Sequence, residues 1–291
     1  MSQARRKRLS ALRVGLVQTR AGANLDRQLK RTAGFVGEAA RGGADVVCLQ
    51  ELFATRYFAQ AEDPRQRRLA EPVPGPLSAF LAGCARDHRV TLVGGSIYEL
   101  GRDGKRYNTT LVYGPRGVRI GKYRKMHIPY DPKYYEQYYF APGNLGYVQV
   151  PTRKAVIAPL ICYDQWFPEA ARVNALRGAQ VLFYPTAIGW FPQLRTEEPF
   201  AARRWEDAMR AHSSMNGVFT VAVNRVGREG DLRFWGGSFV ADPFGQVIAR
   251  ASSTREEVLM ADLDLSLVRE SQEGWGFLGN RRPGSYRTLT R

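Results

Sequence analysis

Short apolar runs alternate with longer stretches of helical spacing along most of this chain. Residues 12–18 (LRVGLVQ) predict a first strand. Asn24 is placed to cap a helix over residues 24–41, in which Leu25, Leu29, Phe35, Val36 and Ala39 form an apolar stripe. Gly42 and Gly43 end it. Residues 45–49 are a second apolar run, with Glu51 just past its end. Pro72, Pro74 and Pro76 mark a turn before a helix over 77–88. Strands over 90–98, 107–113 and 118–123 follow. Residues 125–146 have no clean period and are rich in Pro and Tyr, so they read as a long loop with one short helix. Long ordered loops in compact domains are usually functional.

The second half repeats the alternation. Residues 155–161 (AVIAPLI) read as a strand buried on both faces. The run stops at Cys162, a polar turn over 163–165 follows, and residues 166–176 have helical spacing. The next expectations are a strand over 180–184, a loop over 185–199 with Trp190 and Phe191 at its tip, and a helix over 200–216. A strand over 218–224, a hairpin of 236–242 with 246–251, and a last strand over 258–263 complete the pattern. The tail after Glu273 reads as polar and extended.

Helices between near-continuous apolar strands signal an α/β class. About ten to twelve strands are too many for a comfortable single open sheet. Two packed sheets with helices outside, α-β-β-α, accommodate them. Residues 11–273 are expected to form one domain, residues 1–10 a disordered basic tail, and residues 274–291 an extension.

The formal charge of +16 raises the suspicion of nucleic-acid binding. The basic residues are spread along the chain, however, and show no RNA-recognition motif, so no nucleic-acid partner is expected. The cluster over residues 5–8 reads as part of a solvated tail. No apolar run approaches the ~20 residues of a membrane helix, and the N-terminus lacks a continuous apolar signal segment. Cys48, Cys84 and Cys162 are odd in number and widely spaced, which fits a reducing cytoplasm and lacks zinc-site spacing. Of the 43 basic residues only seven are lysine, and four of those fall between Lys105 and Lys133. A lysine kept in an arginine-favouring chain hints that a compact ammonium is needed there.

Reactive groups in α/β sheets gather at the carboxyl ends of strands. Glu51, Lys125 and Cys162 all sit there. A cysteine at a strand-to-helix turn stands clear of the bend, beside backbone N–H groups that bind an oxyanion. The competing reading is a buried structural thiol. Glu51, partly desolvated by the apolar run before it, suits abstraction of a thiol proton. Lys125 offers a fixed positive charge. The bland readings are a solvated carboxylate and a surface lysine. Among three histidines, His127 is the one serious candidate for a Cys–His pair, since His88 ends a helix and His212 lies along one.

The segments around these residues carry a resemblance. CLQELF at Glu51, GKYRKMHIP at Lys125 and LICYDQWFPEAAR at Cys162 resemble the nitrilase (carbon–nitrogen hydrolase) superfamily, whose members bear Glu, Lys and Cys in this order. YPTAIG, VNRVG and GGSFVADPFG also match, and the likeness runs from about Leu12 to Asp264. It implies the four-layer α-β-β-α sandwich, with Glu51, Lys125 and Cys162 as catalytic residues. It further implies Glu136 as a second active-site glutamate. Beside it, the Tyr163 backbone N–H is placed to bind an oxyanion, and a pocket for a distal ammonium would draw on Asp164 for charge and on Trp166 and Trp190 for aromatic faces, so these four are read as substrate-binding or supporting residues. No metal or organic cofactor is implied. CYDQWFPEAAR, YRKMHIP and YYEQYYFAPG look most like the N-carbamoylputrescine amidases, which release an amine, CO2 and ammonia from a ureide. Tyr130 and Trp190-Phe191-Pro192 depart from that group's acidic residues. The alternatives are another amidase of the superfamily, acting on N-carbamoyl amino acids or β-ureidopropionate, and a basic nucleic-acid-binding protein on the same scaffold. The resemblance also implies a homodimer or larger homo-oligomer.

Overall fold

A computed structural model of the chain describes residues 11–290. The expected basic tail over 1–10 lies outside the described residues. The first half of the chain runs β1 (Ala11–Gln18), α1 (Leu25–Arg41), β2 (Val46–Leu49), α2 (Pro76–His88), β3 (Thr91–Val93), β4 (Ile97–Leu100), β5 (Arg106–Tyr113) and β6 (Arg119–Arg124). A small ribbon of β7 (Tyr130–Asp131) and β8 (Tyr134–Tyr135) follows. Next come β9 (Val150–Pro151), β10 (Val156–Pro159), α3 (Pro168–Leu176), β11 (Val181–Pro185), β12 (Gly189–Trp190), α4 (Pro192–Glu197) and α5 (Ala201–Asn216). The chain closes through β13 (Phe219–Val223), β14 (Val226–Glu229), β15 (Leu232–Trp235), β16 (Phe239–Ala241), β17 (Val247–Arg250), β18 (Glu257–Asp264) and α6 (Ser266–Trp275).

Two large sheets result. The first has order β18-β1-β2-β3-β5-β4, with β6 also on β5; the second has order β17-β16-β13-β11-β10-β9. Strand alternation sets the layers. Val46 and Cys48 of β2 join Val181 and Phe183 of β11 in a core between the sheets. Val47 and Leu49 turn the other way, onto Val36 of α1 and Leu81 of α2. Leu182 and Tyr184 likewise face Ala171 of α3 and Met209 of α5. Strands covered on both faces read as continuous apolar runs, and the four layers are those the pattern implied.

The β7–β8 ribbon, β9 and the β14–β15 hairpin were not among the expected elements, and three further segments differ from expectation. The run over 90–98 is two strands, because Gly94 and Gly95 turn the chain against the end of β2. A Cβ on Gly95, at φ +60°, would stand 2.0 Å from the Gln50 carbonyl oxygen. Residues 185–199 are no simple loop: Gly189 pairs with Phe234, and Pro192 starts α4 once Phe191 is buried among Tyr57, Tyr134-side aromatics and Leu232. After β18 the chain forms α6, which buries Val268 and ends at Gly276 (φ +65°); a 3₁₀ segment, Pro283–Thr290, follows instead of an extended tail.

Candidate active site

β2 and β6 of one sheet and β10 of the other deliver three side chains to one point. Glu51 follows β2 and is fully buried. Its Oε1 accepts hydrogen bonds from Lys125 Nζ at 2.9 Å and from Asn108 Nδ2 at 2.8 Å. Its Oε2 has no partner among the described residues. The backbone that carries it is pinned by buried Arg225, whose Nη2 donates to the carbonyls of Glu51 (2.7 Å) and Leu52 (3.0 Å).

Lys125 follows β6, where its backbone N–H donates to the Asn108 carbonyl at 2.8 Å. Its Nζ also donates to Glu136 Oε2 at 2.6 Å, and the Tyr57 hydroxyl donates to Glu136 Oε1 at 2.7 Å. One ammonium thus faces two buried carboxylates. Burial alone would lower the Lys125 pKa, but the charges of Glu136 and Glu51 outweigh it and hold the side chain charged. For Glu136 the balance of burial and charge runs the other way. Burial chiefly, and the Glu51 charge after the opposing pull of Lys125, push its carboxyl up to about 7.

Cys162 begins the 3₁₀ turn Cys162–Trp166 after β10, with φ +41°. That left-handed backbone is strained for a residue with a Cβ and is held only by its surroundings. Burial raises the thiol pKa well above its ordinary value, and the Glu51 charge adds to the rise; Lys125 pulls it back, as does the backbone N–H of Ala187. Burial thus favours the neutral thiol of Cys162 over its thiolate.

A cavity of about 1060 Å³ opens onto Cys162. Tyr134, Tyr163, Trp166, Phe191 and Trp235 supply its aromatic lining. Exposed Asp131, Glu197 and Asp207 line it farther out, with Glu198 and a single basic residue, Arg204. Arg204 pairs with Glu198 at 2.9 Å and lies over the Trp166 ring.

The structure brings Glu51, Lys125, Cys162 and Glu136 together, and puts Tyr163 and Trp166 on the cavity. Asp164 and Trp190 do not line it. Both Asp164 oxygens are engaged inside the protein, and Trp190 packs on the back of Trp235 with ring centroids 5.0 Å apart. His127 is occupied by Asp164, 2.8 Å from its Nδ1, and buried His212 donates from Nε2 to the Gln165 carbonyl at 2.7 Å. Sequence reasoning missed Tyr57, Asn108 and Arg225. Asn108 had only a weak signal, since Thr109 and Thr110 beside it in the strand over 107–113 are polar too; Arg225 lies within VNRVG. The described residues hold no cluster of His, Cys, Asp and Glu arranged for a metal, and no helix long and apolar enough to cross a membrane.

The chain matches the carbon–nitrogen hydrolase family over residues 13–273. It belongs to that family. This carbon–nitrogen hydrolase is 39% identical over 265 residues to the N-carbamoylputrescine amidase of Solanum lycopersicum, covering 88% of this chain and 87% of that protein. It is 32% identical to a citrullinase of Francisella tularensis over 97% of this chain and 99% of the relative. The crystal structure of a carbon–nitrogen hydrolase from Helicobacter pylori G27 superposes with a TM-score of 0.92 at 35% identity, covering 97% of this chain and 99% of the other.

Proposed function

We propose that this hydrolase cleaves the ureido group of N-carbamoylputrescine, releasing putrescine, CO2 and ammonia. The observation that carries the reading is the cavity: a thiol at its inner end, aromatic walls, and an excess of carboxylates farther out. The likeness to the tomato enzyme supports it. N-carbamoylputrescine carries an ammonium at the end remote from the scissile bond. Asp131, Glu197 and Asp207 suit that charge, and Trp166 and Trp235 offer faces for cation–π contact. The protein's positive net charge does not oppose this locally, since salt screens over ~8 Å.

In this reading Glu51, through its free Oε2, takes the thiol proton as Cys162 attacks the ureido carbon. The Lys125 ammonium and the Tyr163 backbone N–H stabilise the tetrahedral oxyanion. Collapse breaks the C–N bond to the diamine, and Glu51 returns its proton to the leaving nitrogen. Water then attacks the S-carbamoyl group, with Glu51 taking its proton. The thiol is regenerated, and the released carbamic acid breaks down to CO2 and ammonia. Glu136 orients Lys125.

A second reading, an N-carbamoyl amino acid as substrate, draws on Arg204, the one lining cation. Glu198 already occupies that guanidinium, and the remaining carboxylates favour the diamine. The test is a substrate panel. N-carbamoylputrescine should show a higher kcat/KM than N-carbamoyl-β-alanine, citrulline or small amides. Asp207→Asn should raise its KM by roughly three- to fivefold, the range of an exposed ion pair. A clear preference for N-carbamoyl-β-alanine would overturn the diamine assignment and leave the amidase chemistry standing.

Glu136 gives a pH prediction. Its folded value, about 7, lies above the ordinary 4.5. The stability it contributes is therefore complete below about 4.5 and is lost as pH rises through about 7. Glu136→Gln removes this dependence. The melting temperature of the variant, relative to wild type, should rise between about pH 5 and about pH 8; a constant difference would refute the assignment.

The reading includes one catalytic unit over residues 11–273 that assembles through the C-terminal segment into a dimer or larger oligomer. Trp275 (63% exposed) and Leu289 (67% exposed) leave apolar surface there. Light scattering on the full chain and on a chain ending at Glu273 tests this; a monomeric full chain, or unchanged assembly after truncation, counts against it. All three cysteines are free and buried, which suits the reducing cytoplasm. Recovery of the enzyme from an oxidising compartment would contradict that location.

A further inference from the structure

Lys125 and Cys162 come from different sheets, and one buried side chain ties their segments together. Asp164 Oδ2 accepts hydrogen bonds from the Ile161 backbone N–H at 2.9 Å and the Tyr123 hydroxyl at 2.8 Å. Its Oδ1 accepts from the His127 backbone N–H at 3.1 Å and lies 2.8 Å from His127 Nδ1. Ile161 immediately precedes the nucleophile. Tyr123 and His127 stand two residues to either side of Lys125. The same carboxylate therefore grips the chain beside the thiol and the chain on both sides of the ammonium.

The surroundings reinforce this contact. The Asp164 backbone N–H donates to the Ile161 carbonyl at 3.0 Å, and Phe167 N–H donates to the Asp164 carbonyl at 3.2 Å. The His127 ring lies flat on Phe167, with centroids 3.6 Å apart. On the far side α5 holds the next residue: Trp205 Nε1 donates to Gln165 Oε1 at 2.7 Å. The strained backbone of Cys162 is thus clamped from both directions.

We propose that Asp164 is a positioning residue, which fixes the Lys125 ammonium relative to the Cys162 thiol. The proposal rests on the reading that these two groups carry the reaction. Asparagine is not a conservative replacement at this site. Each Asp164 oxygen receives one backbone N–H, which cannot reverse its polarity. Whichever way an asparagine amide is turned, its NH2 faces one of those donors.

The test compares steady-state kinetics per titrated Cys162 thiol in Asp164→Asn, Tyr123→Phe and the double variant. Asp164→Asn lowers kcat about 10²-fold, as expected when reacting groups are displaced by an ångström, and leaves KM within about threefold. Tyr123→Phe keeps the ring and removes one donor, and lowers kcat by about tenfold. The double variant falls short of the product of the two effects, because both act through one carboxylate. A purely structural role would reduce the titratable fraction and leave kcat per thiol unchanged; that result overturns the proposal. Should Asp164→Asn fail to fold, Tyr123→Phe decides alone, and wild-type kcat there overturns it. Cys162→Ala separates the two claims. If it is inactive while the other variants turn over normally, the positioning role falls and the catalytic reading stands. If it is active, the catalytic reading falls first.

Discussion

Replacing Cys162 by alanine abolishes hydrolysis of N-carbamoylputrescine, by about 10⁵-fold or more, the scale on which covalent enzymes lose activity when the nucleophile is removed. Cys48→Ala and Cys84→Ala leave turnover near wild type. The three thiols share burial but not company. Cys48 packs between the sheets and its pKa is raised by burial alone. Cys84 lies on the inner face of α2, raised to about 11 by burial and then by Asp87. Cys162 alone sits in the field of two carboxylates and an ammonium, at the end of the large cavity. Iodoacetamide inactivation followed by peptide mapping checks the prediction. Activity that falls in step with labelling of Cys48 or Cys84 would show the assignment to be wrong.

Lys125→Ala has the next largest effect, on two observables at once. Removing the ammonium strands Glu51 and Glu136 in a fully buried site, and breaking a buried ion pair from one side costs about 3–5 kcal/mol. Loss of an oxyanion donor lowers kcat by a further ~10²–10³-fold. Lys125→Arg does not rescue activity. The compact ammonium reaches two carboxylates at 2.9 and 2.6 Å in a closed slot, where a planar guanidinium is larger and presents its donors in a fixed fork. Urea denaturation and steady-state kinetics read the two effects separately. Near-wild-type rates in Lys125→Ala would remove it from the mechanism.

The layers were legible because strands covered on both faces must be apolar throughout, as residues 46–49 and 156–159 are. Glu51 and Cys162 were legible because each stands just past such a strand, where the sheet stops covering the chain; Lys125 follows the partly exposed strand β6 and was legible as a lysine kept in an arginine-rich chain. What lay deeper was not. No local pattern distinguishes Asp164, whose two oxygens turn inward, from Glu197, which faces the cavity. That difference is set by Tyr123 and His127, at the end of β6 and just after it, about forty residues away in sequence. Trp190 looked like a cavity wall at a loop tip, yet its pairing across β12 and β15 puts it behind Trp235. Glu197 and Asp207 escaped for the same reason: α4 and α5 face β7 and the Cys162 turn only once the second sheet is formed.

The central claim is that the ureido carbon passes through Cys162. Single-turnover acid quench of the wild-type enzyme with N-carbamoylputrescine labelled at that carbon tests it most directly. The account predicts that label appears transiently on the peptide bearing Cys162, as a carbamoyl group, before it leaves as CO2, and that putrescine is released no later than the label. Label bound to another residue, or label reaching CO2 with no protein-bound stage at any time point, would contradict it.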